Sequence, residues 1–261
     1  MHQFWQDLAT PDFDELDPES TIAILPLAAV EQHGHHLPLA TDAIINTGLI
    51  NGLLQRPQGT ARILVLPAMT IGHSLEHVDY AGTLTIAAET LLASWIDVGR
   101  SVARAGVSKL VLLNTHGGQT SLVQLAALRL RVEEGMMVVR ANYFAFGSPP
   151  GLFAADEMKH GIHGGEMETS LLLHLRPDLV RREALADFTG LPQQLAARNQ
   201  VFGAEKPVGF GWMSQDLHPG GVVGNAASAD AGRGKQLLDY LVAQLALLVE
   251  EVAATPLETL R

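Results

Sequence analysis

Residues 31–42 read EQHGHHLPLATD and follow directly on the apolar run Thr21 to Val30. That run has the length of a buried strand, so the polar side chains come at its carboxyl end. In open α/β sheets, ligands bind at this edge, and imidazole nitrogen and carboxylate oxygen suit zinc, manganese and iron. If the chain stays extended, Glu31 and His33 project to the same side. The stretch therefore predicts a sheet whose edge carries a metal site.

Strand-like and helix-like segments alternate along the rest of the chain. The predicted strands are 21–28, 62–66, 109–114 and 136–143, and the predicted helices are 42–54, 87–105, 119–134, 165–175 and 230–252. Strands separated by such helices predict a parallel sheet with helices on both faces. We expect one α/β domain over residues 1–261, with three α/β/α layers and a mostly parallel central sheet. The Gly- and Pro-rich segment Leu191 to Ala229 is a candidate lid or intersubunit arm.

The composition excludes several classes of protein. The 261 residues are 47% hydrophobic, carry a formal net charge of −11 and include no cysteine. A nucleic acid or an anionic membrane needs a basic partner surface, so neither is expected as a partner. Without thiolates, any metal must bind to nitrogen and oxygen ligands. Met1 to Pro18 does not resemble a signal peptide and no apolar run could span a membrane, so a cytoplasmic protein is predicted.

A second polar cluster, NTHGGQ at residues 114–119, follows the predicted strand KLVLLN. Like the first cluster, it follows the carboxyl end of a strand. His116 is therefore expected to lie in the same site as Glu31 and His33. An isolated histidine would more often hydrogen-bond a loop. The second cluster at the same sheet edge favours the metal site.

The third cluster, HGIHGGEMETS at residues 160–170, opens a predicted helix. Glu166 and Glu168 could simply stabilise the helix, because negative side chains in the first turn interact favourably with the helix dipole. They are two residues apart, so they face different directions and should not share one role. One of them could bind metal, while the other faces the substrate or packs behind the metal ligands. His163 is a candidate acid/base or substrate-holding group.

The fourth stretch, GHSLEHVDYAGT at residues 72–83, also follows a predicted strand. It has no spacing that demands a metal, so we interpret it as a pocket wall. Ser74 and His77 are its candidate substrate-binding residues. Trp212, outside this stretch, is a further candidate substrate-binding residue, and His73 and Trp212 could shape specificity.

The number of candidate ligands exceeds what one metal needs. Four ligands are Glu31, His33, Asp42 and His116, and a carboxylate of the third cluster is the fifth. A single catalytic metal usually takes three protein ligands, whereas five with one bridging carboxylate fit two metals about 3.5 Å apart. Such a pair lowers the pKa of a bridging water and polarises a carbonyl. An activated water and a polarised carbonyl are what the hydrolysis of an amide requires, including that of a cyclic amide.

Taken together, the motifs resemble the creatininase (creatinine amidohydrolase) superfamily. The resemblance rests on three ordered motifs, supported by the SLEH and GTLT sequences, and it covers most of the chain. The three are EQHG-x-HLPL-x-TD at 31–42, N-x-HGG at 114–118 and H-x-GE-x-ETS at 163–170.

The resemblance implies an α/β/α fold, a two-metal amidohydrolase centre and a homohexamer. By position, one metal would take Glu31, Asp42 and His116. The other would take His33, Asp42 and Glu168, with Asp42 bridging. The ions would be zinc, or alternatively manganese or iron. His163 would be the catalytic or substrate-orienting histidine, and Glu166 is the other candidate catalytic residue.

One departure from the family pattern concerns the substrate. In creatininases the second motif reads His-Tyr-Glu, and its glutamate is a metal ligand. In this chain, Gly117 and Gly118 follow His116 instead. The resemblance then implies that Glu168 supplies the ligand, as in family members with other substrates. This departure argues against creatinine itself.

The predicted function is hydrolysis of a non-peptide C–N bond in a small cyclic amide, formamide or related compound, by attack of a metal-bridging water. One alternative is a metal-dependent peptidase of the same family, and another is a hydrolase that acts on a ring or C–C bond. A third alternative is a relative that binds metal without catalysis. A metal-free sugar or nucleotide binder ranks last, because no phosphate-binding glycine loop of the usual spacing follows a strand.

Overall fold

A computed structural model of the protein describes residues 2–57, 59–205 and 208–260. Its centre is a sheet of five strands, β1 His2–Phe4, β2 Thr21–Leu27, β3 Arg62–Val65, β4 Lys109–Asn114 and β5 Met137–Asn142. Their order in the sheet is β1-β3-β2-β4-β5, and every neighbouring pair is parallel.

The central strands β2 and β4 are buried along their whole length. Strands covered on both faces by helices read as continuous apolar runs, which is why the sequence marks them so clearly. Their register pairs Leu27 with Asn114, so the two strands end side by side. The loops that follow them therefore leave the sheet at the same edge.

Helices cover both faces of the sheet. The long helices are α1 Thr41–Leu54, α2 Ala88–Arg104, α3 Thr120–Glu134, α5 Glu166–Leu175 and α8 Ala231–Ala254. Ile22 and Ile24 of β2 pack in the core with α1, α5 and α8, whereas Ala23 and Leu25 pack in the core with α2 and α3. The predicted three-layer α/β/α arrangement with a parallel central sheet is confirmed.

The remaining elements are short. They comprise the helices α4 Ala155–His160, α6 Leu191–Ala196 and α7 Ser214–Leu217 and the antiparallel pair β6 Asp187–Phe188 and β7 Gly224–Asn225. Single 3-10 turns lie at Trp5–Asp7, Thr10–Phe13, Leu75–His77, Gly117–Gln119, Tyr143–Phe146, Pro177–Leu179, Arg182–Ala184, Ala226–Ser228 and Leu257–Leu260.

The segment predicted as a lid or arm lies against the loop that follows β3. Gln215 donates its side-chain amide to Asp79 (2.6 Å), and the Tyr80 hydroxyl donates to the carbonyl of Pro219 (3.2 Å). These contacts hold residues 214–221 beside the sheet edge where the candidate site lies. Among the helices in the described ranges, none combines the length and apolar character needed to cross a membrane.

Candidate metal centre

The loop after β2 delivers two of the predicted ligands. The Glu31 N–H donates to the carbonyl of Leu39 (2.9 Å), which closes the loop before α1 begins. Gly34 turns the chain with a φ of +68°, a conformation that glycine adopts without strain. Glu31 and His33 are thereby held in the interior, exposed by 1% and 0% respectively.

Asp42 lies at the middle of the cluster. It sits in the first turn of α1, with 2% of its surface exposed. Its Oδ1 is 3.6 Å from Nε2 of His33, and its Oδ2 is 3.4 Å from Nδ1 of His116. The two oxygens of one carboxylate therefore face histidines from two different strand-end loops.

Backbone carbonyls orient both histidines. Nδ1 of His33 lies 3.1 Å from the carbonyl of Glu31, and Nε2 of His116 lies 2.8 Å from the carbonyl of His73. Since a carbonyl only accepts, each of these nitrogens carries the hydrogen. The opposite nitrogen of each ring faces Asp42, which is how proteins commonly orient metal-binding histidines.

Several buried atoms of the cluster have no hydrogen-bond partner. These are Oε2 of Glu31, Nε2 of His33 and Oδ2 of Asp42. Buried polar atoms are rarely left without a partner, because the desolvation penalty is then not offset. All three are atom types that bind divalent metals, so the donor set fits metal ions.

Among the described residues, ligand-type atoms form four groups of three, and two of these groups share Asp42; the other two are Glu31, His33 and His163, and Glu31, Glu76 and His77. Within each group the atoms lie within 4.8 Å of one another. The two ligand groups that share Asp42 are Glu31, Asp42 and His116, and His33, Asp42 and Glu168. This is the arrangement that the resemblance implies, with Asp42 common to both.

The charges of the cluster alter the pKa values of its members. Burial alone would lower the pKa of His33, but the nearby carboxylate of Asp42 outweighs it and raises the pKa to about 9. The pKa of His116 is raised for related reasons: the carboxylates of Glu31 and Asp42 outweigh its burial. Burial would raise the pKa of Asp42, but the nearby imidazoles of His116 and His33 reverse this and lower it.

His163 lies over the cluster as a neutral ring. Its Nε2 donates to the carbonyl of Gln32 (2.7 Å), so Nδ1 bears the lone pair and lies 3.8 Å from Oε1 of Glu31. The ring centroid is 4.1 Å from that of His33. Burial, together with the charge of His33, lowers the pKa of His163. The residue is therefore suited to accept a proton at Nδ1.

The two glutamates of the third cluster are separated, as their spacing predicts. Oε2 of Glu168 lies 4.0 Å from Nε2 of His33 and accepts the N–H of Gly164 (2.6 Å), while Oε1 accepts the hydroxyl of Tyr143 (3.3 Å). Glu166 lies outside the cluster. It forms an ion pair with Arg233 of α8 and lines a different cavity, of about 330 Å³.

The three predicted substrate-binding residues occupy different places. Ser74 is buried, with its hydroxyl 3.4 Å from Nε2 of His116. His77 is also buried, with Nε2 3.4 Å from Oε1 of Glu31. Trp212 instead donates its indole N–H to Glu205 (3.0 Å) and packs on a small apolar cluster that includes Leu217.

Sequence reasoning missed Glu76 as a member of the site. Its Oε1 lies 3.6 Å from Nε2 of His116 and 3.9 Å from Nε2 of His77, and burial raises the pKa of its carboxyl. The signal was the adjacent carboxylate and imidazole of Glu76-His77, which also follow a strand at this edge. Their spacing matches no metal-binding pattern, so the sequence predicts only a pocket wall there.

Comparisons with known proteins relate this chain to one family. The family model described as creatininase, creatinine amidohydrolase, matches residues 6–249. A mycofactocin precursor peptide peptidase from Mycobacterium ulcerans is 31% identical over 241 residues, covering 90% of this chain and 87% of that protein. A creatinine amidohydrolase from Pseudomonas putida is 30% identical over 182 residues, covering 64% and 68%.

A solved creatininase variant described as the Zn–Zn type has the same fold. It superposes with a TM-score of 0.75 at 25% identity, covering 97% of this chain and 98% of that one. The match of the family model extends over nearly all of the chain and includes every residue of the cluster. This protein therefore belongs to the creatininase family of hydrolases.

Proposed function

We propose that this protein is a binuclear metal-dependent amidohydrolase that cleaves a C–N bond in a small cyclic amide, formamide or related compound. The observation that carries the proposal is the position of Asp42, whose two oxygens face His33 and His116. A carboxylate between two such groups is suited to bridge two divalent ions. Zinc is the first candidate, with manganese and iron as alternatives, and the Zn–Zn form of the solved relative supports zinc.

The bound ions would supply an activated water and a Lewis acid for the scissile carbonyl. The chain's own residues hold this centre and move the proton. Nδ1 of His163 is the available acceptor, because Nε2 is already donating to the carbonyl of Gln32. Since its pKa is lowered, the ring stays neutral at pH 7 and can take a proton and return it to the leaving nitrogen.

A second candidate is a metal-dependent peptidase. It is favoured by the 31% identity to a peptide peptidase over 90% of the chain, a longer match than that to the creatinine amidohydrolase. Both candidates cleave C–N bonds at the same centre and differ in the size of the substrate. Hydrolysis of a ring or C–C bond, or metal binding without catalysis, are the remaining alternatives.

The first experiment is elemental analysis of protein purified without chelator, followed by assays against lactams, formamides and short peptides. We expect about two divalent ions per chain and cleavage of one of these classes. Asp42→Ala should abolish both metal loading and turnover, because Asp42 belongs to both ligand groups. Asp79→Asn is the matched control, since Asp79 is an exposed carboxylate that bonds Gln215. Normal turnover by Asp42→Ala would refute the proposal.

We also propose that the protein acts as a homohexamer in the cytoplasm. Light scattering on the purified protein tests the first part, and fractionation of the source cells tests the second. A stable monomer would refute the hexamer.

A further inference from the structure

His163 lies on a short stretch of chain that pairs with the residue before β7. Its N–H donates to the carbonyl of Val223 (3.3 Å), and its carbonyl accepts the N–H of Val223 (2.8 Å). The ring makes one further hydrogen bond, from Nε2 to the carbonyl of Gln32. The position of this ring over the metal centre therefore depends on how residues 163–166 lie against β7.

The carboxylate of Glu157 lies between these two stretches. Its Oε1 accepts the N–H of Glu166, the first residue of α5 (2.6 Å), and its Oε2 accepts the N–H of Asn225 in β7 (2.8 Å). Glu157 belongs to the short helix α4, and only 6% of its surface is exposed. Each oxygen thus holds an amide from a different stretch, so one side chain fixes their separation.

Glycines surround this carboxylate closely. A methyl group built on Gly161 or Gly165 would collide with Oε1 of Glu157, and one built on Gly224 would lie 2.9 Å from the same oxygen. Gly161 and Gly165 have φ values of −73° and −82°, which other residues also adopt. The absence of side chains at these two positions is therefore what lets both amides reach the carboxylate.

A carboxylate is costly to bury, and here two main-chain N–H groups offset that cost. One of them lies at the start of α5, where the helix dipole also favours a negative charge. An apolar side chain of similar size would avoid the desolvation penalty, but it would orient neither amide. The charged group is therefore suited to hold the two stretches in one arrangement.

We propose that Glu157 is a positioning residue for His163. By holding the amides of Glu166 and Asn225 at a fixed separation, it sets the place of the His163 ring over the metal centre. This inference rests on the proposed function, in which Nδ1 of His163 accepts a proton. Glu157 acts through the backbone, because each of its oxygens accepts a main-chain N–H.

The test follows the hydrogen on Nε2 of His163, which gives its own proton NMR signal in the metal-free protein because it is bonded to the carbonyl of Gln32. His163→Gln removes this signal and so assigns it. Glu157→Gln keeps the size of the side chain but turns an NH₂ group towards one of the two N–H donors, so one hydrogen bond is lost. We expect the signal to shift and its hydrogen to exchange with solvent about tenfold faster.

Activity gives a second readout, measured on whichever of the lactams, formamides or short peptides the parent cleaves. Glu157→Gln should lower kcat at least about tenfold and leave KM and the metal content unchanged, because a misplaced acid/base group slows the chemical step alone. Gly161→Ala should have the same effects, since its methyl group would displace Oε1 of Glu157. Circular dichroism checks that each variant is folded.

Two controls separate positioning from a general loss of stability. Lys109→Met removes a buried charged group at the start of β4, and Asp156→Asn removes the exposed carboxylate next to Glu157 in α4. Neither should alter the His163 signal. An unchanged signal in folded Glu157→Gln and Gly161→Ala, or an equal change in Lys109→Met, would overturn the role of Glu157. A parent protein that binds no metal would instead refute the proposed function, and the NMR comparison would still show whether Glu157 holds His163 in place.

Discussion

The side-chain amide of Gln32 donates to Nδ1 of His77 across 2.8 Å, which joins the loop after β2 to the loop after β3. Oε1 of Gln32 accepts the N–H of Gly34 (2.9 Å), so the nitrogen of the amide must face His77. His77 consequently carries its hydrogen on Nε2, 3.4 Å from Oε1 of Glu31. His77 therefore orients Glu31 and is not itself placed to bind metal.

Gln32→Leu should destabilise the metal-free protein. Gln32 also donates to the carbonyl of Gly221 (2.6 Å), so the substitution leaves that carbonyl and the N–H of Gly34 without their partner. Each buried group left unpaired costs about 1–3 kcal/mol, and urea denaturation should show a loss of about 2–4 kcal/mol. Gln124→Leu, on the exposed face of α3, is the control and should change stability by less than about 0.5 kcal/mol. Equal stabilities would contradict this account.

Metal binding should release protons and strengthen with pH. In the metal-free protein the pKa of His33 is raised to about 9, chiefly by Asp42 acting against burial, and that of His116 is also raised. At pH 7 both rings are protonated, so an ion must displace a proton from each. Below these pKa values the proton competes with the metal, and above them it does not. Affinity should therefore rise from pH 6 towards pH 9.

Calorimetric titration at pH 7 in two buffers of different ionisation enthalpy measures the release. We expect about two protons per pair of ions, one from each histidine. His33→Gln should reduce that number, and the exposed His35→Gln should not change it. A heat of binding that does not depend on the buffer would contradict the prediction.

The two glutamates at the start of α5 should have separable effects. Glu168→Gln should reduce the metal content towards one ion per chain, because Glu168 belongs to the group with His33 and Asp42. Glu166→Gln should retain both ions and lose about 1–3 kcal/mol of stability, since it weakens the pair with Arg233. Elemental analysis and thermal unfolding of the two variants check this. Loss of metal from Glu166→Gln would show that its carboxylate supports the centre.

Lys109 should stabilise the fold at the end of the sheet opposite the metal centre. It is fully buried at the start of β4, and its Nζ donates to the carbonyls of Glu19 (2.6 Å) and Ala253 (3.0 Å). Lys109→Met should cost roughly 2–3 kcal/mol, because both carbonyls lose a charged donor. Metal content should stay unchanged.

Lys235→Met is the matched control for Lys109→Met. Lys235 makes an exposed pair with Asp239 one helical turn away, and such pairs contribute at most about 0.5 kcal/mol. Chemical denaturation of the two variants should therefore give clearly different free energies of unfolding. Similar values would mean that the buried ammonium group contributes little.

The long elements of the fold could be predicted because their patterns are local. The continuous apolar run of β4 marks a strand covered on both faces, and its predicted bounds, 109–114, are those observed. The strand β1 was missed because His2–Phe4 is only three residues long and shows no periodicity. Its pairing with β3 is a contact made across the fold, which the local sequence does not carry.

The sequence by itself determined the strand-end positions of Glu31, His33 and His116, because parallel strands bring their carboxyl ends to one edge. Only the tertiary structure decided which remaining side chains join them. Glu168 enters the cluster, whereas Glu166, two residues earlier, pairs with Arg233 on another helix. Glu76 approaches His116 because Gly118 leaves room for it. The physical reason is that residue spacing fixes direction along one element, while distances between loops depend on how all the layers pack.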